Sequence, residues 1–169
     1  MSSLDLVAIR QQFPALNQQW EGQQPMFLDG PGGSQVSQAV LDAMTHYLGH
    51  YNANLGGAYF SSQKTVELMQ QARLAAADFY NAAHANEIVF GANATSLTFH
   101  MSRAIARDWQ AGDEIIVTAL DHYSNVSPWE IMAAEKGATV HHVRVNAVDC
   151  TLDYDHLASL LNSRTRWVA

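Results

Sequence analysis

Ile88-Val89-Phe90, Ile115-Ile116-Val117, Val140-His141-His142-Val143-Arg144-Val145 and Arg166-Trp167-Val168-Ala169 are four short apolar runs in the second half of a 169-residue chain. Between them lie stretches with helical spacing: Thr95 to Trp109, Pro128 to Lys136, and about Tyr154 to Leu161. Short apolar runs alternating with helices predict strand and helix units around a mainly parallel sheet. The helix over 128–136 is well punctuated. Ser127 and Glu130 have capping-box spacing, Pro128 sits at the first helical position, and Gly137 lies where the helix should stop. A turn through Asn146 to Thr151 separates the third strand from the last helix.

Toward the N-terminus the texture differs. Leu4, Val7, Ile9 and Phe13 predict a short helix ending near Pro14, and Asn17 to Gln24 reads as a surface loop. After Phe27-Leu28-Asp29 and the turn-rich Gly30-Pro31-Gly32-Gly33, a second helix carries Val36, Val40, Ala43, Met44, Tyr47 and Leu48 and ends around Asn52. Asn54-Leu55-Gly56-Gly57 breaks the pattern before a third helix with Val66, Met69, Arg73, Ala76 and Tyr80 along one side. The expected division is an N-terminal arm with helices over 1–60 and an α/β domain over 61–169. The final run, Arg166 to Ala169, stops in mid-element. A parallel strand normally leads into a crossover helix, so the chain reads as the front part of something longer.

Hydrophobic residues make up 48% and charged residues 15%, enough apolar material for a core. Sixteen acidic residues against nine basic ones give a charge of -7 with no basic cluster, which argues against a nucleic-acid partner. No apolar run is long enough for a membrane span, and Met1-Ser2-Ser3-Leu4-Asp5 lacks the basic segment of an export signal. Cys150 has no partner in the chain, so no disulfide or multi-cysteine zinc site is available, and a reducing cytoplasm is the expected compartment.

Two junctions can carry chemistry. In Phe90-Gly91-Ala92-Asn93-Ala94-Thr95-Ser96 a strand gives way to small residues and then to a helix. Free N–H groups, the positive end of the helix dipole and the Thr95 and Ser96 hydroxyls would meet there and suit a phosphate. An ordinary N-cap at Asn93 or Thr95 accounts for the same residues, and neither a P-loop Lys nor a full GxGxxG is present. Asp121-His122-Tyr123-Ser124-Asn125 follows the second strand, at the C-terminal sheet edge where open α/β sheets bind ligands. An aromatic ring there can stack on a flat heterocycle, and His122 can exchange protons or donate a hydrogen bond; a capped loop with a partly exposed His is the plainer alternative. His46 and His50 have i,i+4 spacing but no adjoining Glu, and His141-His142 point to opposite faces of a strand, so no metal site is expected. Gly30 to Gly33 fits a turn before a helix, Cys150 has no base nearby in sequence, and no Gly-x-Ser-x-Gly elbow occurs.

Taken together, these residues resemble the N-terminal part of class V aminotransferases, in the cysteine desulfurase-like branch of pyridoxal-phosphate enzymes with the type I fold. The resemblance rests on Phe27 to Gly33, Ile88 to Leu97, Ala111-Gly112-Asp113-Glu114, and Asp121 to Asn125 leading to Pro128-Trp129. It implies a mainly parallel sheet flanked by helices, incomplete in this chain. It also implies pyridoxal 5'-phosphate as cofactor, an amino-acid substrate and a homodimer when complete. Positions matching Ala94 and Thr95 open the helix that holds the cofactor phosphate, with Ser96 beside them, and the position matching Tyr123 carries the ring stacked on the pyridine. Desulfurases usually have two histidines where this chain has His122 and Tyr123, and Thr-Thr-Glu where it has Ala94, Thr95 and Ser96. A phenol can stack but does not exchange protons near neutral pH as imidazole does.

In the family, the Schiff-base Lys, the Asp facing the pyridine nitrogen and the desulfurase Cys all lie downstream of position 169. Lys64 and Lys136, the two lysines present, match none of these. The expectation is therefore the N-terminal portion of a pyridoxal-phosphate enzyme, inactive as this piece, with no residue here assigned as catalytic. The alternatives are a non-catalytic α/β module binding a phosphorylated small molecule, and a fragment without stable function whose unfinished sheet exposes an edge.

Overall fold

Glu114–Thr118 forms strand β1, and Ile115, Ile116 and Val117 at its centre are fully buried. The computed structural model describes residues 4–169, so the reading of Met1 to Ser3 as leader-free lies outside the described residues. A run of three β-branched residues suits a strand covered on both faces, and β1 is the middle of a three-stranded parallel sheet in the order β2-β1-β3. Strand β2 is Thr139–Val143 and β3 is Thr165–Val168. Helix α5, Ser127–Lys136, links β1 to β2, and helix α6, Tyr154–Leu160, links β2 to β3. The second link crosses past β1, so the right-handed crossover rule puts α5 and α6 on opposite faces of the sheet.

Alternation along β1 sends Ile115 and Val117 to the same face. There they join Val126, Trp129, Met132 and Ala133 near or on α5, and Ala106 and Trp109, which follow the helix Ala94–Ile105. Three tryptophans form a row through this core. The Trp109 and Trp129 ring centroids are 6.5 Å apart, and those of Trp129 and Trp167 are 4.8 Å apart. His142 meets Glu130 of α5 at 3.2 Å while His141 meets Glu114 at 3.0 Å, so the adjacent histidines serve opposite faces as their strand position requires.

The chain gathers into two compact units, one ending at Val89 and the other Phe90–Ala169. The second holds the sheet. In the first, α1, Leu6–Gln11, is capped by the Asp5 carboxylate, which accepts from the Ala8 amide at 3.0 Å. Helices α2, Gln38–His50, and α3, Phe60–Tyr80, follow. The break between them is fastened from inside: buried Ser62 donates to the Asn54 carbonyl at 2.7 Å and accepts from the Gly57 amide at 2.8 Å. Gly30–Gly32 forms a 3-10 turn, and Gly30 and Gly33 line a groove with Phe13, Phe27 and Asp29. Among the described residues, no helix is long and apolar enough to cross a membrane.

Three local expectations are corrected. Ile88-Val89-Phe90 forms no strand: Ile88 is extended, but the run pairs with no strand among the described residues, and an extended segment becomes a strand only through a bonded neighbour. β2 stops at Val143, because Val145 pairs instead with Leu152 in an antiparallel bridge across the Asn146–Thr151 turn. The capping box at Ser127 is absent. The 3-10 turn Tyr123–Asn125 runs directly into α5, so Val126 is the N-cap, and Glu130 turns to His142 instead.

Candidate functional site

Helix α4, Ala94–Ile105, begins where Asn93 leaves an extended backbone, and the Asn93 side chain accepts the Ser96 amide at 2.8 Å. That cap uses one first-turn amide. The amides of Ala94 and Thr95 precede the first intrahelical bond and have no carbonyl to reach within the helix. Together with the exposed Thr95 hydroxyl and half-buried Ser96, they form a donor-rich end at the positive pole of a twelve-residue helix. Gly91 lets Leu97 tuck beneath this loop, since a Cβ at Gly91 would lie 2.5 Å from a Leu97 methyl carbon.

The second component stands at the C-terminal end of β1. Tyr123 opens the 3-10 turn Tyr123–Asn125 and is 68% exposed, with its ring free of the core. The turn is held by side chains rather than by burial. Thr118 Oγ1 accepts from the Asp121 amide at 3.0 Å. The Asp121 carboxylate accepts from the His122 amide and from Asn125 Nδ2, each at 2.7 Å. Asn125 Oδ1 accepts from the indole N–H of Trp129, which is 2% exposed, at 3.0 Å. The Ser124 amide donates to His122 Nδ1 at 3.1 Å, which makes Nδ1 the unprotonated nitrogen in this arrangement and leaves Nε2 as the N–H. α4 packs against this turn, so the helix carrying Ala94, Thr95 and Ser96 and the turn carrying Tyr123 meet within one unit.

Sequence reasoning missed the parts played by Thr118, Asn125 and Trp129. Asp121, Asn125 and Trp129 stand four residues apart, and that spacing was the available signal. It also left Ala111-Gly112-Asp113-Glu114 without a physical task. These residues organise the opposite end of β1. The Asp113 carboxylate accepts from the Gln110 amide and from Arg166 Nε, both at 2.9 Å, and these contacts hold its pKa below the ordinary value, the Gln110 amide contributing most. Glu114 accepts from Asn162 Nδ2 at 2.8 Å, pairs with Arg164 and meets His141, and its pKa is also lowered, chiefly by Asn162. Arg166 is the residue skipped where the β1–β3 register shifts, so Asp113 pins that irregularity. Of the two lysines, Lys64 pairs with Glu67 at 2.7 Å and Lys136 donates to the Arg107 carbonyl at 3.2 Å. Cys150 is exposed in its turn.

An α/β unit with a parallel sheet, a donor-rich helix start and an aromatic turn at the C-terminal strand edge has the architecture of pyridoxal-phosphate-dependent enzymes of the type I fold. The family model for class-V aminotransferases matches residues 26–169, and the chain belongs to that family. It is 36% identical to a probable cysteine desulfurase of Synechocystis over 95% of this chain and 38% of that protein. Its fold superposes on an apo cysteine desulfurase from Thermococcus onnurineus with a TM-score of 0.85 at 24% identity, covering 99% of this chain and 40% of that one. It also superposes on a C-DES variant with glycine covalently linked to its PLP cofactor, with a TM-score of 0.73 at 25% identity, over 94% of this chain and 39% of that one. The chain corresponds to the N-terminal portion of such relatives and spans about 40% of their length.

Proposed function

We propose that this chain forms the cofactor-cradling part of a pyridoxal-phosphate-dependent enzyme acting on an amino acid. The observation that carries the reading is the packing of α4 against the Tyr123–Asn125 turn. In this assignment the Ala94 and Thr95 amides and the Thr95 and Ser96 hydroxyls hold the phosphate, and Tyr123 stacks on the pyridine ring. The donor set fits a dianion without needing a basic side chain. When bound, the cofactor supplies the electron sink for bonds at the substrate's alpha carbon. The residues here bind and orient it. Lys64 lies on α3 and Lys136 at the C-terminal end of α5, neither on α4 nor on the Tyr123 turn, so this assignment gives the 169 residues no Schiff-base lysine and no activity of their own.

To the same proposal belong a homodimeric complete enzyme, a cytoplasmic location, and a division into an arm over 1–60 and the first part of the large domain over 61–169. Relatives are named for action on cysteine, and an amino acid of that kind is the proposed substrate class.

The test is a titration of the chain with pyridoxine 5'-phosphate, which lacks the aldehyde and so cannot react with surface lysines. Saturable quenching of tryptophan fluorescence is expected, weakened about tenfold, or ~1.4 kcal/mol, in Thr95→Val. Equal affinity in Thr95→Val and Tyr123→Ala would remove the assignment. With pyridoxal 5'-phosphate and borohydride, no adduct on a single lysine should form.

A further inference from the structure

We propose that His46, His50 and Tyr51 form a binding site for a divalent transition-metal cation of the Cu(II) type, at the C-terminal end of α2. The inference is independent of the pyridoxal-phosphate reading, because all three residues belong to the unit that ends at Val89.

His46 and His50 stand one helical turn apart on one face, and their ring centroids are 4.3 Å apart with planes inclined by 30°. His50 Nδ1 lies 2.8 Å from the His46 carbonyl. A carbonyl only accepts, so Nδ1 carries the hydrogen and Nε2 of neutral His50 presents its lone pair. A backbone carbonyl fixing the second ring nitrogen is the arrangement that orients metal-binding imidazoles. His46 Nε2 is hydrogen-bonded to the Tyr51 hydroxyl, with one proton between nitrogen and oxygen. A cation taking that proton's place would gain an imidazole nitrogen and a phenolate oxygen together, the proton leaving to solvent.

Tyr51 is not a chance neighbour. Its carbonyl accepts from Thr65 Oγ1 of α3 at 3.1 Å, and Thr65 is buried. Its ring makes edge contacts with Tyr47 and Phe60, at centroid separations of 6.3 and 6.4 Å. The third donor is therefore anchored between two helices while both histidines are exposed. Among the described residues no group of three His, Cys, Asp or Glu converges, so the phenol is what distinguishes this place. Two imidazoles, one phenolate and open positions for water suit tetragonal N,O coordination. Affinity should follow Cu(II) above Ni(II) and Zn(II), with Mg(II) and Ca(II) unbound.

The test is titration of the Cys150→Ser chain, which lacks the exposed thiol that would itself bind and reduce Cu(II), with CuCl2, followed by visible absorption and electron paramagnetic resonance. One equivalent should bind with a phenolate-to-copper charge-transfer band. His46→Ala or His50→Ala should weaken binding at least about tenfold, while Tyr51→Phe should keep the two-nitrogen signal and lose the band. In the Cys150→Ser chain with both histidines in place, substoichiometric Cu(II) should broaden the His46 and His50 ring NMR signals before those of the other histidines. Copper binding unchanged in His46→Ala/His50→Ala, or first broadening at His141 and His142, would overturn the proposal.

Discussion

The buried indole of Trp129 donates to Asn125 at 3.0 Å, and through Asn125 the core grips the carboxylate of Asp121 at the base of the Tyr123 turn. The exposed aromatic turn is thereby fixed by a side chain of the core cluster. Its position is set by these two polar links together with the packing of α4 against it.

Asn125→Ala leaves the Trp129 N–H buried without an acceptor, and a loss of about 1–3 kcal/mol in unfolding free energy is expected. Trp129 stands between Trp109 and Trp167, so the near-ultraviolet circular dichroism should change with it. Urea unfolding of Asn125→Ala beside Ser124→Ala checks the link. Equal stability of the two variants would count against it.

Acid should destabilise the α/β unit at the far end of β1. Asp113 and Glu114 both have lowered pKa values when folded, Asp113 mainly through the Gln110 amide and then Arg166, Glu114 mainly through Asn162 and then Arg164. Their stabilisation is complete above the ordinary carboxylate range of about pH 4–4.5. It is lost as pH falls through the lowered folded values, because the unfolded chain takes up protons first. Asp113→Asn with Glu114→Gln should flatten the acid limb of a stability-versus-pH curve. An unchanged slope between pH 5 and pH 2, on the order of the window set by those carboxyls, would contradict this.

Gly137 ends α5 with a φ of 69°, and a Cβ placed on it would lie 3.3 Å from that of Ala111. Gly137→Ala should cost about 1–2 kcal/mol from the left-handed backbone. A thermal melt showing no loss would mean that the turn relaxes at no cost.

Asn93→Ala removes the cap on the Ser96 amide and should cost about 1 kcal/mol of stability. It also frees a third amide at the start of α4. In the pyridoxine 5'-phosphate titration, affinity should therefore fall by less than in Thr95→Val, and a larger fall would assign Asn93 to the ligand itself.

Much of the α/β unit was readable in the sequence because its elements state their own limits. Ile115-Ile116-Val117 is buried on both faces and shows no alternation, and Gly137 terminates α5 as its backbone requires. Ile88-Val89-Phe90 has equal strand character but no strand, since a strand exists only with a bonded neighbour and no composition records whether one is present. Ser127 has the right spacing for a cap, yet the preceding turn brings the helix in one residue early. The junctions at Ala94 to Ser96 and at Tyr123 were visible as residue types after apolar runs. The Asn125–Trp129 link joins the turn to a helix that the sequence shows as a separate element, and the Asp121–Asn125 link closes the turn on itself in a way that residue types alone do not show.

Both crossovers of the sheet are made from consecutive pieces, so every strand finds its partner between Glu114 and Val168. A ribosome adding roughly 5–20 residues per second delivers such a stretch in about 3–11 seconds. The three strands are thus suited to pair with one another during translation, while β2 and β3 each keep one edge that no described strand covers.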